Sequence, residues 1–199
     1  MRASAALAIL LALGGGAMAE SEDNPLTRMV PREDGRSACF TRSYDGVHLK
    51  RIPRQKTQSI TLSLRFEQES NAHIVRIMLR QKDRPTPLHI VGGCKWSDEA
   101  NLGVDGQPLM QAFTKTSGLD CHVSTGLNSD EESGDFPIDL PEGGTSLTAY
   151  LFDRIAAWSG TDLRKKTIDL RLGKDDLVFR LDRTDAAACE AMERALRAR

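Results

Sequence analysis

The chain has 199 residues, of which 40% are hydrophobic, 28% charged and only 5% aromatic, with 27 basic side chains against 28 acidic ones. A balance this close to neutral argues against a nucleic-acid binder driven by overall positive charge. The length suits one domain with a real buried core.

The chain opens MRASAALAILLALGGGAMAE. Arg2 is followed by an apolar run, Ala5 to Leu13, that is too short to span a bilayer. Ala17-Met18-Ala19 then forms a small-residue cleavage site. The expectation is a signal peptide over residues 1–19, cut after Ala19, and an exported chain, periplasmic or secreted. A short membrane anchor is the competing reading, and the length of the run disfavours it. No cysteine follows the run, which argues against a lipid anchor, and no later stretch is long enough to cross a membrane. Residues 20–37, with Pro25, Pro31 and Gly35, read as a flexible mature N-terminus. Residues 38–199 read as a single disulfide-stapled β domain.

Ser43 to Pro53 is ambiguous between a helical turn and a loop. Beyond it, alternation becomes clear. Ile60, Leu62, Leu64 and Phe66 share one parity, as do Val75, Ile77 and Leu79, with polar or charged residues between most of them. This is the pattern of half-buried strands. Two further runs, Leu88 to Trp96 and Leu119 to Val123, each place a cysteine on the apolar parity. Same-parity residues of a strand lie on one face, so Cys94 and Cys121 are placed to bond if the two strands pair side by side. Phe136 to Leu140, Leu147 to Leu151, Ile168 to Leu172 and Leu177 to Leu181 complete a set of about eight strands. Gly92 and Gly93 point to a bulge or a close backbone approach. Asp185 can cap a last helix over 186–197, whose stripe Ala188, Cys189, Met192 and Leu196 faces the body. The fold expected is mostly β: an antiparallel meander closing as an up-and-down barrel or stacking as a sandwich, with a C-terminal helix. A barrel is favoured because it removes exposed edges.

Four cysteines in an exported chain read as two disulfides. Strand parity selects Cys94–Cys121, which leaves Cys39 for Cys189. The latter would close most of the domain into one loop, worth about 4–5 kcal/mol in the chain-entropy model. A zinc site is the alternative, but no CxxC occurs and the spacings are long.

The inward positions, including Leu62, Leu64, Phe66, Ile77, Leu79, Ile90 and Phe179, are almost all apolar, His73 being the exception. A site for a polar substrate needs convergent polar groups, so the interior reads as a filled core or as a cavity for a hydrophobic ligand. If Cys94 faces Cys121, His122 faces Gly93 and His89 faces Gly126, which separates the two histidines by about 13 Å along the ladder. That is too far for one metal ion. No GxSxG elbow occurs in the mature chain. The carboxylate pairs Asp98/Glu99, Glu131/Glu132 and Asp175/Asp176 read as solvated turn charges.

Charge is concentrated between Asp98 and Glu142, which hold ten acidic residues and one basic residue, Lys115. Two loops of this region, Ser97–Gly118 and Ser124–Asp135, are candidates for recognition. Asp130, Glu131, Glu132 and Asp135 are the expected contacts for a basic or cationic protein surface. Asn128, Asp130, Glu132 and Asp135 could alternatively supply oxygens to calcium, although the spacing departs from the calcium-loop signature. The basic stretch His48–Lys56, with Lys50, Arg51, Arg54 and Lys56, lacks aromatic interleaving and reads as a solvated face, not a nucleic-acid site. No catalytic constellation and no cofactor are expected. The function expected is a non-enzymatic exported binding module, with a barrel carrier of a small hydrophobic ligand second and an enzyme of unrecognised type last.

Overall fold

The structure is a computed structural model, and it describes residues 23–98, 117–124, 133–152 and 154–197. Its ten strands are β1 (Ser37–Ser43), β2 (Thr57–Glu67), β3 (Ala72–Gln81), β4 (Leu88–Ser97), β5 (Gly118–Val123), β6 (Asp135–Asp139), β7 (Ser146–Tyr150), β8 (Ile155–Ser159), β9 (Ile168–Leu170) and β10 (Val178–Thr184). Among the described residues three α-helices, α1 (Pro25–Met29), α2 (Gly46–Arg51) and α3 (Ala187–Arg197), accompany them.

Eight strands close into an antiparallel barrel in the order β1-β2-β3-β4-β5-β6-β7-β10, with β10 returning to β1. The expected barrel is therefore found, and the sandwich is not. One inward row runs Phe40–Leu62–Ile77–Ile90 through three consecutive ladders. Phe40, Leu62, Leu64, Ile77, Leu79, Leu88 and Ile90 are fully buried. Phe136 and Phe179 fill the opposite wall. An eight-strand barrel encloses about the space that its own side chains occupy, so these residues form the core.

The membership of the barrel differs from the sequence reading at two places. The run from Ile168 is only the three-residue β9, outside the ring, and β1 takes its place. β1 hides its alternation because Cys39 points outward yet is buried beneath α3. β8, equally unread, leaves the ring after β7 and pairs Leu88 with Ser159 and His89 with Trp158. The buried residues of β8 and β9, Ile155, Ala157, Trp158 and Leu170, belong to the main core. The helix α3 lays a second, smaller apolar layer on the outside of the wall, where Met78 and Leu163 pack against Cys39, Cys189, Met192 and Leu196. Ala188, expected on the buried stripe of this helix, is exposed.

Both expected disulfides are present. Cys94 and Cys121 face each other directly across β4 and β5 with Cα atoms 4.2 Å apart, and Cys39–Cys189 ties α3 to β1 over a separation of 150 residues. Beside this tie, Arg76 pairs with Glu67 at 2.7 Å and with Glu193 of α3 at 3.3 Å.

The two ends of the barrel are covered differently. At one end the residues read as a flexible N-terminus instead form α1, with Leu26 and Val30 in the core. Asn24 and Thr27 cap this short helix reciprocally, which satisfies backbone donors that would otherwise be left open. His73 Nε2 meets the Val30 carbonyl at 2.7 Å, and burial holds the imidazole below its ordinary pKa. At the other end Asp176, expected to be solvated, is fully buried. Its carboxylate accepts from the backbone N–H groups of Lys56 (2.8 Å), just before β2, and Thr57 (3.0 Å), the first residue of that strand. Two donated hydrogen bonds are what a buried carboxylate needs to remain inside. Asp176 is thus a structural clasp.

The closed disulfides match an oxidising compartment. Among the described residues, no helix is long and apolar enough to cross a membrane. The segment expected to be a signal peptide, residues 1–19, lies outside the described residues.

Candidate functional site

The acidic region is anchored on β5 and β6. These strands pair Cys121 with Phe136 and His122 with Asp135, so the disulfide and Phe136 face inward while His122 and Asp135 face out. The wall is fixed here by the Cys94–Cys121 bond and by the close approach of β4 to β5. A Cβ at Gly92 would lie 2.1 Å from the carbonyl oxygen of His122, so only glycine fits.

On the outer face His122 sits between two carboxylates. Its Nδ1 is 2.6 Å from Asp135 and its Nε2 is 3.4 Å from Asp120. Lys95 approaches Asp120 from β4 at 3.5 Å. All four side chains are substantially exposed. Asp135, read from the sequence as a loop acid, is therefore the first residue of β6 and already paired. The cross-strand register carried the missing signal, since a ladder that places His122 near the end of β5 also places the first residue of β6 opposite it. Chemically the cluster is an exposed polar patch in which nitrogen groups and carboxylates alternate.

Asn128, Asp130, Glu131 and Glu132 lie outside the described residues, as do residues 99–116 of the other acidic loop. The strands from which the two loops spring are described. The 98–117 connection leaves β4 at Ser97, opposite Gly118, whereas the 124–134 connection leaves β5 at Val123. The loops thus depart from opposite ends of β5, and the barrel does not gather them at one mouth. The 124–134 connection returns beside β8: the Ser133 carbonyl accepts from Ala156 N–H at 2.8 Å, and Val123 N–H donates to Gly134 at 2.9 Å.

The histidines do not converge. His122 faces Gly93, as the disulfide register requires. The neighbour of His89 is Trp158, because β8 pairs with the first part of β4; Gly126, expected opposite His89, lies outside the described residues. His89 is only 2% exposed, and burial, helped by the charge of Arg80, pushes its pKa down to about 4. Among the described residues, no three His, Cys, Asp or Glu side chains are placed to hold a metal ion together. In the basic stretch, Arg54 pairs with Asp175 at 3.1 Å and Lys56 with Asp83 at 2.8 Å. Lys50 and Arg51 stand exposed on α2.

Comparison with protein-family models, with curated proteins and with solved structures found no match.

Proposed function

We propose that the chain is an exported, non-enzymatic binding module that uses the acidic segment between β5 and β6 to hold a cationic protein surface. The reading includes a signal peptide over residues 1–19 and a periplasmic or secreted location. The observation that carries it is the division of labour in the barrel. The interior is occupied by the fully buried side chains of Phe40, Leu62, Leu64, Ile77 and Ile90. The ends are covered by Leu26 and Val30 of α1 and by the Asp176 clasp. Function is left to the outside, where the disulfide-fixed β5–β6 pair presents Asp120 and Asp135 and extends into Asp130, Glu131 and Glu132. A carrier of a hydrophobic molecule has less support, since it needs interior space that these side chains take up.

Immobilised poly-lysine is a direct probe. The formal net charge of the chain is −1, so retention cannot come from the molecule as a whole. Retention should be strong at low salt and weaken as salt screens the contact. The combined substitution Asp130→Asn, Glu131→Gln, Glu132→Gln and Asp135→Asn should remove it. Unchanged retention in that variant would sink the reading. The calcium alternative is tested separately by a chelator, which must lower the melting temperature if Asn128, Asp130, Glu132 and Asp135 hold the ion.

A further inference from the structure

The helix that plugs one end of the barrel also builds a groove. Leu26 and Val30 turn one side of α1 into the core, which leaves Pro25, Arg28 and Met29, at helical spacing, on a second side. Facing them are the β6–β7 turn, Pro141 to Gly144, and Arg183 of β10. Together they line a groove of about 220 Å³. At ~30 Å³ per water in the liquid, that is roughly the space of seven waters, enough for a small organic molecule.

Three features give the groove chemistry. Two guanidinium groups, Arg28 and Arg183, line the groove with one carboxylate, Glu142, and Arg183 is the cation left to receive an anion. Among the described residues no carboxylate pairs with Arg183. Arg28 pairs with Asp23 at 3.1 Å on the exposed surface, where a pair is weak and readily exchanged. The turn is open by construction. Gly144 holds φ +58°, and a Cβ there would come 3.3 Å from Met29 Sδ, tighter than an ordinary contact, and would touch Arg183 Nη1 at 3.7 Å. Pro25, Pro141 and the Met29 thioether supply apolar walls. Guanidinium forks bind carboxylates in a planar, two-point manner.

We infer that this groove binds a small monocarboxylate with a compact apolar body. Its carboxylate is held by Arg183 and Arg28, and its body lies against Met29 and the two prolines. Glu142 disfavours dianions such as phosphate esters. The site is independent of the acidic segment between β5 and β6.

The test is a titration of the protein, labelled with ¹³C at its methionine methyl groups, with benzoate. The Met29 methyl resonance, assigned by Met29→Leu, should shift and saturate. Benzamide, which has the same shape without the charge, should bind about tenfold or more weakly, the effect of losing a charge-assisted hydrogen bond. Arg183→Gln should weaken benzoate by a similar factor while the other methionine resonances stay in place. A shift that never saturates, equal binding of benzamide, or an Arg183→Gln protein that binds benzoate as well as the parent would each overturn the inference. The benzamide comparison needs no variant, so it decides the matter even if the substitution disturbs α1.

Discussion

His89 gives this protein an acid sensitivity whose size follows from its position. The residue points out of the barrel, yet it is 2% exposed, pairs across β4–β8 with Trp158 and has Met78 as its neighbour on β3. Burial, with the positive charge of Arg80 adding to it, lowers the folded-state pKa from 6.5 to about 4. The unfolded chain therefore binds a proton that the folded chain refuses between those two values. The stability contributed by the neutral imidazole is fully present above pH 6.5 and is lost as the pH falls towards 4. Between pH 7.5 and 5.0 the linkage relation puts the loss at about 2 kcal/mol, rising to roughly 3 kcal/mol by pH 4. His73, also lowered by burial, adds loss of the same sign. Urea unfolding at the two pH values measures this directly, and stopping at pH 5.0 keeps most carboxylates ionised. His89→Leu removes the titrating group, so the difference between pH 7.5 and 5.0 should shrink by about 2 kcal/mol in that variant, whatever its absolute stability. A parent protein equally stable at both pH values, or a variant with an undiminished difference, would refute the assignment of His89 as a buried neutral base.

Asp176→Asn keeps the shape of the clasp but turns one acceptor into a donor facing a backbone N–H. It should cost about 1–3 kcal/mol of unfolding free energy by leaving a buried donor unpaired, and an unchanged urea midpoint would contradict the clasp. Gly92→Ala drives a Cβ to 2.1 Å from the His122 carbonyl, whereas nothing lies within 4 Å of a Cβ at Gly93. The first substitution should therefore destabilise by about 1–3 kcal/mol or more and the second by less than about 0.5 kcal/mol, and equal melting temperatures for the two would show that β4 and β5 do not approach as described.

The strands that bury one face and wet the other were legible in the sequence. β10 alternates because Arg180 and Asp182 meet solvent, β2 because its outward Thr61, Ser63 and Arg65 are polar even where they are buried, and the parity of Cys94 and Cys121 gave the register of β4 and β5. Legibility failed where the barrel acquires its outer layer. Cys39 and His89 are buried and Met78 is half-buried although β1, β4 and β3 turn them away from the core, so the polar–apolar code that marks a wall strand is broken there. The same cause hid β1, and β8 (Ile155–Ser159) went unread because Ile155, Ala156, Ala157 and Trp158 are apolar on both parities. α1 was missed because a five-residue helix carries too few turns for periodicity to register, and its evidence is local: the Asn24–Thr27 capping box and Pro25 at the first helical position. At the candidate site the acidic character of the region was plain from composition. The pairing of Asp135 with His122 was not, because it depends on where β6 begins opposite β5.

The most direct test of a barrel filled by its own side chains is a native mass spectrum of the purified protein, compared with its denatured mass. The expected result is the same mass in both states, that of the polypeptide less the hydrogens lost to two disulfides. An apolar molecule carried in the native spectrum and released on denaturation would contradict the filled core and make the chain a carrier.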